Sequence, residues 1–215
     1  MTLRPIIHPE AIPEGFFLSQ SFRRRAVAHL VVDIQDLYCN PAHPYAIDTG
    51  NDISRHEALS HKMNDFVSRS RDTLPPTWIV HGVKYIGKSS RYGLMFGDAG
   101  RDDARAFGLA SLYNQTVLDS EAMVWKSGRD AFKKTDLLTM LHEKRIEAVI
   151  VSGLELNACV KETALSASRE FPTYILEDLV ANAMDNDEAL YASVDALKPH
   201  CGSLTSKHLM SLDLA

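Results

Sequence analysis

Three side chains suited to nucleophilic acyl chemistry stand in separate stretches of this chain, each at the end of an apolar run. Cys159 follows Ala148-Val149-Ile150-Val151-Ser152 and a turn that starts at Gly153. A helix is expected to open at the thiol, and a helix N-terminus favours the thiolate, which is the nucleophile. Asp33 closes an earlier apolar run, and Lys126 closes Met123-Val124-Trp125. An ammonium beside the thiol lowers its pKa, so that thiolate forms near neutrality. A carboxylate can take the thiol proton and later pass it to a leaving amine. Attack on an amide carbonyl also needs oxyanion donors, which backbone N–H groups of the turn before a helix supply. Each residue has a plainer use as well. An Asp at a strand end often caps a turn, a Lys before a turn is usually solvated, and an isolated Cys often packs in a core.

These side chains meet only if the elements that carry them run parallel. Ala26 to Ile34, Thr77 to Val83, Ala148 to Ser152 and Thr173 to Leu176 are short apolar runs, as expected of strands buried on both faces. Between them lie helical patterns. Leu59, Met63, Phe66 and Val67 share one face. Leu137, Leu138 and Leu141 follow Thr135, a candidate N-cap. Val160, Ala164, Ala167 and Phe171 line another face, and Leu190, Val194 and Leu197 a last one, with Asp187 as its candidate cap. The alternation predicts an α/β fold, a three-layer α/β/α domain with a mostly parallel central sheet. Ligands of such sheets bind outside the carboxyl ends of the strands, where Asp33, Lys126 and Cys159 would gather.

The chain divides into an N-terminal arm over 1–25 and a single domain over 26–215, with a long irregular connection over 84–120. A net charge of −5 gives no reason to expect nucleic acid or an anionic membrane as partner. Three scattered cysteines, no apolar leader and no run of ~20 apolar residues predict a cytoplasmic, reducing location.

Three segments resemble the isochorismatase-like superfamily of cysteine hydrolases, which includes N-carbamoylsarcosine amidohydrolases, ureidoacrylate amidohydrolases and nicotinamidases. They are Leu30-Val31-Val32-Asp33-Ile34-Gln35-Asp36-Leu37-Tyr38, then Lys126 to Phe132 with Thr135 and Leu137, then Gly153 to Val160 with Thr163, Ala164 and Ala167. With Glu177-Asp178, placed after the next strand, the match spans residues 26 to 182. The resemblance implies a Rossmann-like hydrolase fold with Asp33, Lys126 and Cys159 as catalytic triad. The backbone N–H groups of Glu155 and Cys159 would form the oxyanion hole, and Leu154–Glu155 would be a cis peptide bond. It also implies a small-molecule substrate and a homo-oligomer, dimer or tetramer, for which Leu209 and Met210 would suit an interface.

Departures from the family pattern narrow the expectation. Isochorismatases proper lack the cysteine. Metal-dependent nicotinamidases carry an Asp-x-His and a further His after the second strand, whereas Val80-His81-Gly82-Val83-Lys84-Tyr85 gives no such set. The expected site therefore holds no metal and no cofactor. Gln35, Tyr38, Trp78, His81 and Arg129 are substrate-binding candidates by position, with Arg91 and Arg101 as weaker clamps for a substrate carboxylate. Glu155 stands where the family commonly has a small residue. It could read a cationic or hydrogen-bond-donating substrate, point to solvent or pair with a neighbouring subunit. The expected function is a metal-independent cysteine hydrolase that cleaves a C–N bond of a small amide, carbamoyl or ureido substrate through a thioester. The alternatives are a vinyl-ether hydrolase of the isochorismatase type and a non-catalytic interaction protein on the same fold.

Overall fold

The computed structural model describes residues 26–43, 47, 52–81, 111–182 and 187–211. The arm over 1–25, Gly82 and Val83, Arg91, Arg101 and most of the long connection lie outside them.

The described elements are β1 (Val27–Val32), α1 (Asp36–Cys39), α2 (Ser54–Ser70), β2 (Pro76–His81), β3 (Ala122–Lys126), α3 (Leu137–Glu143) and β4 (Ala148–Leu154). A π-helical turn (Leu156–Val160) then leads into α4 (Lys161–Ala167), followed by β5 (Thr173–Ala181), α5 (Asp187–Leu197), β6 (Gly202–Leu204) and α6 (Ser206–Ser211). The strands form one sheet in the order β3-β2-β1-β4-β5-β6, and every pairing is parallel. With helices on both faces, the central strands have no solvent side, and all seven residues of β4 are buried.

Two apolar layers hold the sheet. On one face Leu30, Val32, Ile79, Val149 and Val151 pack against Leu137 and Leu141 of α3, Val160, Ala164 and Ala167 around α4, and Val194 and Leu197 of α5. On the other, Val31, Trp78 and Ile150 meet Leu59, Met63, Phe66 and Val67 of α2 and Leu209 of α6. Leu209 is therefore a core residue, 1% exposed, and only Met210 of the expected interface pair is open, at 40%. The one-residue step along α6 turns Leu209 inward.

Several boundaries differ from the sequence expectation. Asp136, not Thr135, is the N-cap of α3, although the Thr135 hydroxyl still accepts the Leu137 N–H at 3.3 Å. β5 runs through Glu177-Asp178 to Ala181, so those acids lie within the strand rather than beyond it. The register slip between β4 and β5 at Val151/Gly153 lets β5 continue past the point where its apolar pattern breaks. β6, three residues long, was not expected at all.

Close approach of β1 and β4 depends on Gly153. Its φ of +108° is open to glycine, and a Cβ there would meet the Val32 backbone, with the nitrogen at 2.7 Å and the oxygen nearer still. Beneath it, His29 Nε2 lies 2.7 Å from Ser152 Oγ in the interior. Burial pushes the His29 ring down to about 3, so it is neutral at ordinary pH.

Candidate active site

The carboxyl ends of β1, β3 and β4 bring the three candidate catalytic side chains to one edge. β1 ends as the chain turns at Asp33, whose φ of 55° is one that Asp tolerates better than most residues. The Asp33 N–H still donates to Ile79 O at 2.9 Å, which ties the turn to β2. Lys126 closes β3 opposite His81 in the parallel register. Its Nζ donates to Asp33 Oδ2 at 2.7 Å and to Gly128 O at 3.1 Å, with the lysine only 1% exposed. Asp33 is 2% exposed, and its second oxygen, Oδ1, is buried without a hydrogen bond.

Cys159 lies within electrostatic and hydrogen-bonding reach of both Asp33 and Lys126. The thiol occupies the fourth position of the π-helical turn rather than opening the α-helix, which starts at Lys161. Its ionisation differs from the sequence expectation. Burial, and then the Asp33 carboxylate, push the thiol pKa far up, and Lys126 only partly opposes them. The resting group is therefore the thiol, because burial and the Asp33 carboxylate together outweigh the ammonium that would stabilise thiolate. For Lys126, burial favours the neutral amine. Asp33 and Cys159 more than offset this and hold the ammonium above its usual range.

The turn between β4 and the thiol is firmly built. Leu154–Glu155 is cis, as the family resemblance implies. Glu155 O accepts N–H groups from Ala158 and Val160 at 2.9 and 3.1 Å, and Asn182 Oδ1 accepts the Asn157 N–H at 3.0 Å. The Glu155 side chain is 35% exposed, with Oε1 3.9 Å from Nε2 of His56, a buried residue of the first turn of α2. His56 Nδ1–H donates to Tyr38 O at 3.0 Å, and burial lowers its pKa, partly countered by that bond. A neutral ring bonded this way turns a lone pair toward Glu155, which accounts for contact rather than a hydrogen bond. Sequence reading gave His56 no role, since no spacing links it to Glu155.

The other candidates separate into groups. Tyr38, Gln35 and His81 come together: Tyr38 Oη lies 3.0 Å from His81 Nδ1, and the Gln35 carboxamide brackets the His81 backbone. Gln35 is fully buried, and in this arrangement its carboxamide clamps the end of the neighbouring strand. Trp78 is a core residue. It is fully buried in the α2 layer, and Nε1 donates to Glu121 Oε2 at 2.8 Å. Arg129 is exposed in the loop after Lys126, with its carbonyl 3.5 Å from the Thr163 hydroxyl. Among the described residues, no group of three or more His, Cys, Asp or Glu side chains could hold a metal ion, and no helix is long and apolar enough to cross a membrane.

A buried Asp–Lys pair thus lies near a thiol at the strand ends of a parallel α/β sheet. The isochorismatase domain model matches residues 27–208, and the chain belongs to the isochorismatase family, whose members are hydrolases. Solved structures agree on the fold. An isochorismatase family protein from Desulfovibrio vulgaris subsp. vulgaris str. Hildenborough aligns with a TM-score of 0.68 at 15% identity, covering 86% of this chain and 97% of that one. N-carbamoylsarcosine amidase from Thermoplasma acidophilum gives 0.61 at 19% identity, covering 84% and 96%. Pyrazinamidase of Pyrococcus horikoshii, solved in complex with zinc, gives 0.61 at 17% identity, covering 84% and 99%.

Proposed function

We propose that the protein is a metal-independent cysteine hydrolase that cleaves a C–N bond in a small amide, carbamoyl or ureido substrate. The observation that carries this reading is the buried Asp33–Lys126 contact of 2.7 Å with the Cys159 thiol in reach of both partners. Because the resting sulfur is protonated, proton loss accompanies attack. The Asp33 carboxylate takes the thiol proton as sulfur bonds to the carbonyl carbon. The Glu155 and Cys159 backbone N–H groups receive the oxyanion. Collapse of the adduct breaks the C–N bond, and Asp33 returns its proton to the departing ammonia or amine. Water, deprotonated by Asp33, then attacks the thioester, and the released sulfur regains a proton. Lys126 keeps a positive charge beside both the carboxylate and the sulfur throughout.

Ammonia release from a panel of small amides, carbamoyl and ureido compounds tests the reading. Turnover should fall below ~0.1% in Cys159→Ala, by analogy with removal of a covalent nucleophile. A Cys159→Ala protein with wild-type turnover would refute the mechanism, and pyruvate release from a vinyl ether in its place would point to the isochorismatase type of reaction.

A further inference from the structure

The two strand-end turns that carry Asp33 and Lys126 are joined by more than the ion pair. Tyr38, in the short helix α1 that follows the Asp33 turn, places its hydroxyl 3.0 Å from His81 Nδ1. The His81 ring also hydrogen-bonds the backbone of Ser127, the residue after Lys126, in the sense that raises the ring pKa and so as donor to the carbonyl. With the ring N–H given to Ser127, Nδ1 is the acceptor of the Tyr38 O–H. Main-chain anchors hold both ends of this bridge. Gln35 brackets the His81 N–H and C=O at 2.8 and 3.2 Å, and His56 Nδ1–H fixes the Tyr38 carbonyl at 3.0 Å. The bridge is therefore seated on β2, α1 and α2 at once, and its His81 end bonds the Ser127 backbone in the loop whose Gly128 carbonyl also accepts from Lys126 Nζ.

We propose that Tyr38 and His81 are positioning residues for Lys126, setting the turn at Ser127 so that the ammonium stands between Asp33 and the Cys159 thiol. The proposal rests on the reading of Cys159 as the nucleophile. Neither residue takes a proton from substrate. Each acts through the place where Nζ sits. Burial and the Lys126 ammonium lower the His81 pKa, Asp33 and the Ser127 bond oppose them, and the ring enters the bridge neutral. A neutral ring is required, since an imidazolium has no lone pair for the tyrosine hydroxyl.

Cys159 alkylation by iodoacetamide, followed between pH 6 and 10 with the modified peptide mapped by mass spectrometry, needs no substrate and tests the proposal. Tyr38→Phe removes one oxygen. It should slow Cys159 alkylation by about 3–10-fold near pH 8 and move the profile to higher pH, because a displaced ammonium stabilises thiolate less. His81→Ala should do the same, and the double variant should be no slower than the slower single one, as expected of residues acting in series. Mere loosening of the site predicts the opposite, faster alkylation, together with labelling of the buried Cys39 and Cys201. A Tyr38→Phe protein that alkylates at the wild-type rate across the range, or faster at all three cysteines, overturns the proposal.

A second measurement on the unmutated protein holds whether or not the variants fold. The ¹⁵N shifts of the His81 ring at neutral pH should show one protonated and one bare nitrogen, with Nδ1 bare. A ring averaging between tautomers overturns the bridge. If no amide is turned over yet Tyr38→Phe shifts the alkylation profile, the proposed reaction fails and the positioning role stands. If turnover is found and the profile is unmoved, the reverse holds.

Discussion

Replacing Lys126 with methionine keeps much of the side-chain volume and removes the ammonium. The Asp33 carboxylate, with a side chain 3% exposed, then loses a counter-charge that stood 2.7 Å away. At an effective dielectric of ~20, two unit charges at that separation attract by about 6 kcal/mol. Desolvation of both ions consumes part of this in the native pair, but the single variant keeps the cost of the buried carboxylate without the attraction. Removal of one partner from a buried pair destabilises by about 3–5 kcal/mol, and that is the expected loss for Lys126→Met. Asp33→Asn combined with Lys126→Met should regain most of it, since the remaining groups are neutral. Urea unfolding at pH 7, with the slope unchanged between proteins, reads both effects. A Lys126→Met protein within ~1 kcal/mol of wild type would refute the picture of a dry, mutually dependent pair. A double variant less stable than the single would do the same.

Three further outcomes follow from the packing. His29 has a folded pKa of about 3 against a usual value of 6.5, so it adds no pH dependence where both states are neutral, above ~6.5. Below that the unfolded chain binds a proton the folded ring refuses, and stability should fall by about 1.4 kcal/mol per pH unit toward pH 3. Between pH 7 and pH 5 the wild type should lose about 2 kcal/mol more in urea unfolding than His29→Gln, and equal losses would contradict it. Gly153→Ala should destabilise by roughly 3 kcal/mol or more, through the positive φ and the Val32 backbone, and a shift of the melting midpoint under 2 °C would count against that reading. Leu209→Ala should cost about 2–4 kcal/mol and Met210→Ala less than ~0.5, and chemical denaturation of the two side by side checks which face of α6 is buried.

The apolar runs that became β1, β2, β4 and β5 were legible because strands covered on both faces leave no polar alternation. Asp33, Lys126 and Cys159 could be grouped because parallel strands share a carboxyl edge. What stayed hidden depends on distances the sequence does not encode. Trp78 is apolar enough for a pocket or a core, and only the placement of α2 and Glu121 decides between them. Leu209 and Met210 differ by one step around a helix whose phase a six-residue segment does not declare. β6 is too short to show a pattern, and its partner β5 supplies the definition. The thiol's protonation is not legible in the sequence, because helix and lysine effects can be read locally, whereas burial and the Asp33 charge belong to the assembled site. The tie from His56 to Glu155 joins the start of α2 to the end of β4, and no local spacing announces it.

Gln35 has a wider consequence. β1's main chain swings away at Asp33, just where β2 still offers the His81 N–H and C=O, and the Gln35 carboxamide meets both as a peptide group would. In effect a side chain prolongs the strand by one rung after its backbone has left. Sheet cohesion and chain direction are thereby uncoupled at this edge. The backbone is free to bend and deliver a carboxylate, while the neighbouring strand experiences no gap. Glutamate at this position would match Gln35 in size yet offer no N–H to the His81 carbonyl, so the missing rung would be an electrostatic fault rather than a steric one.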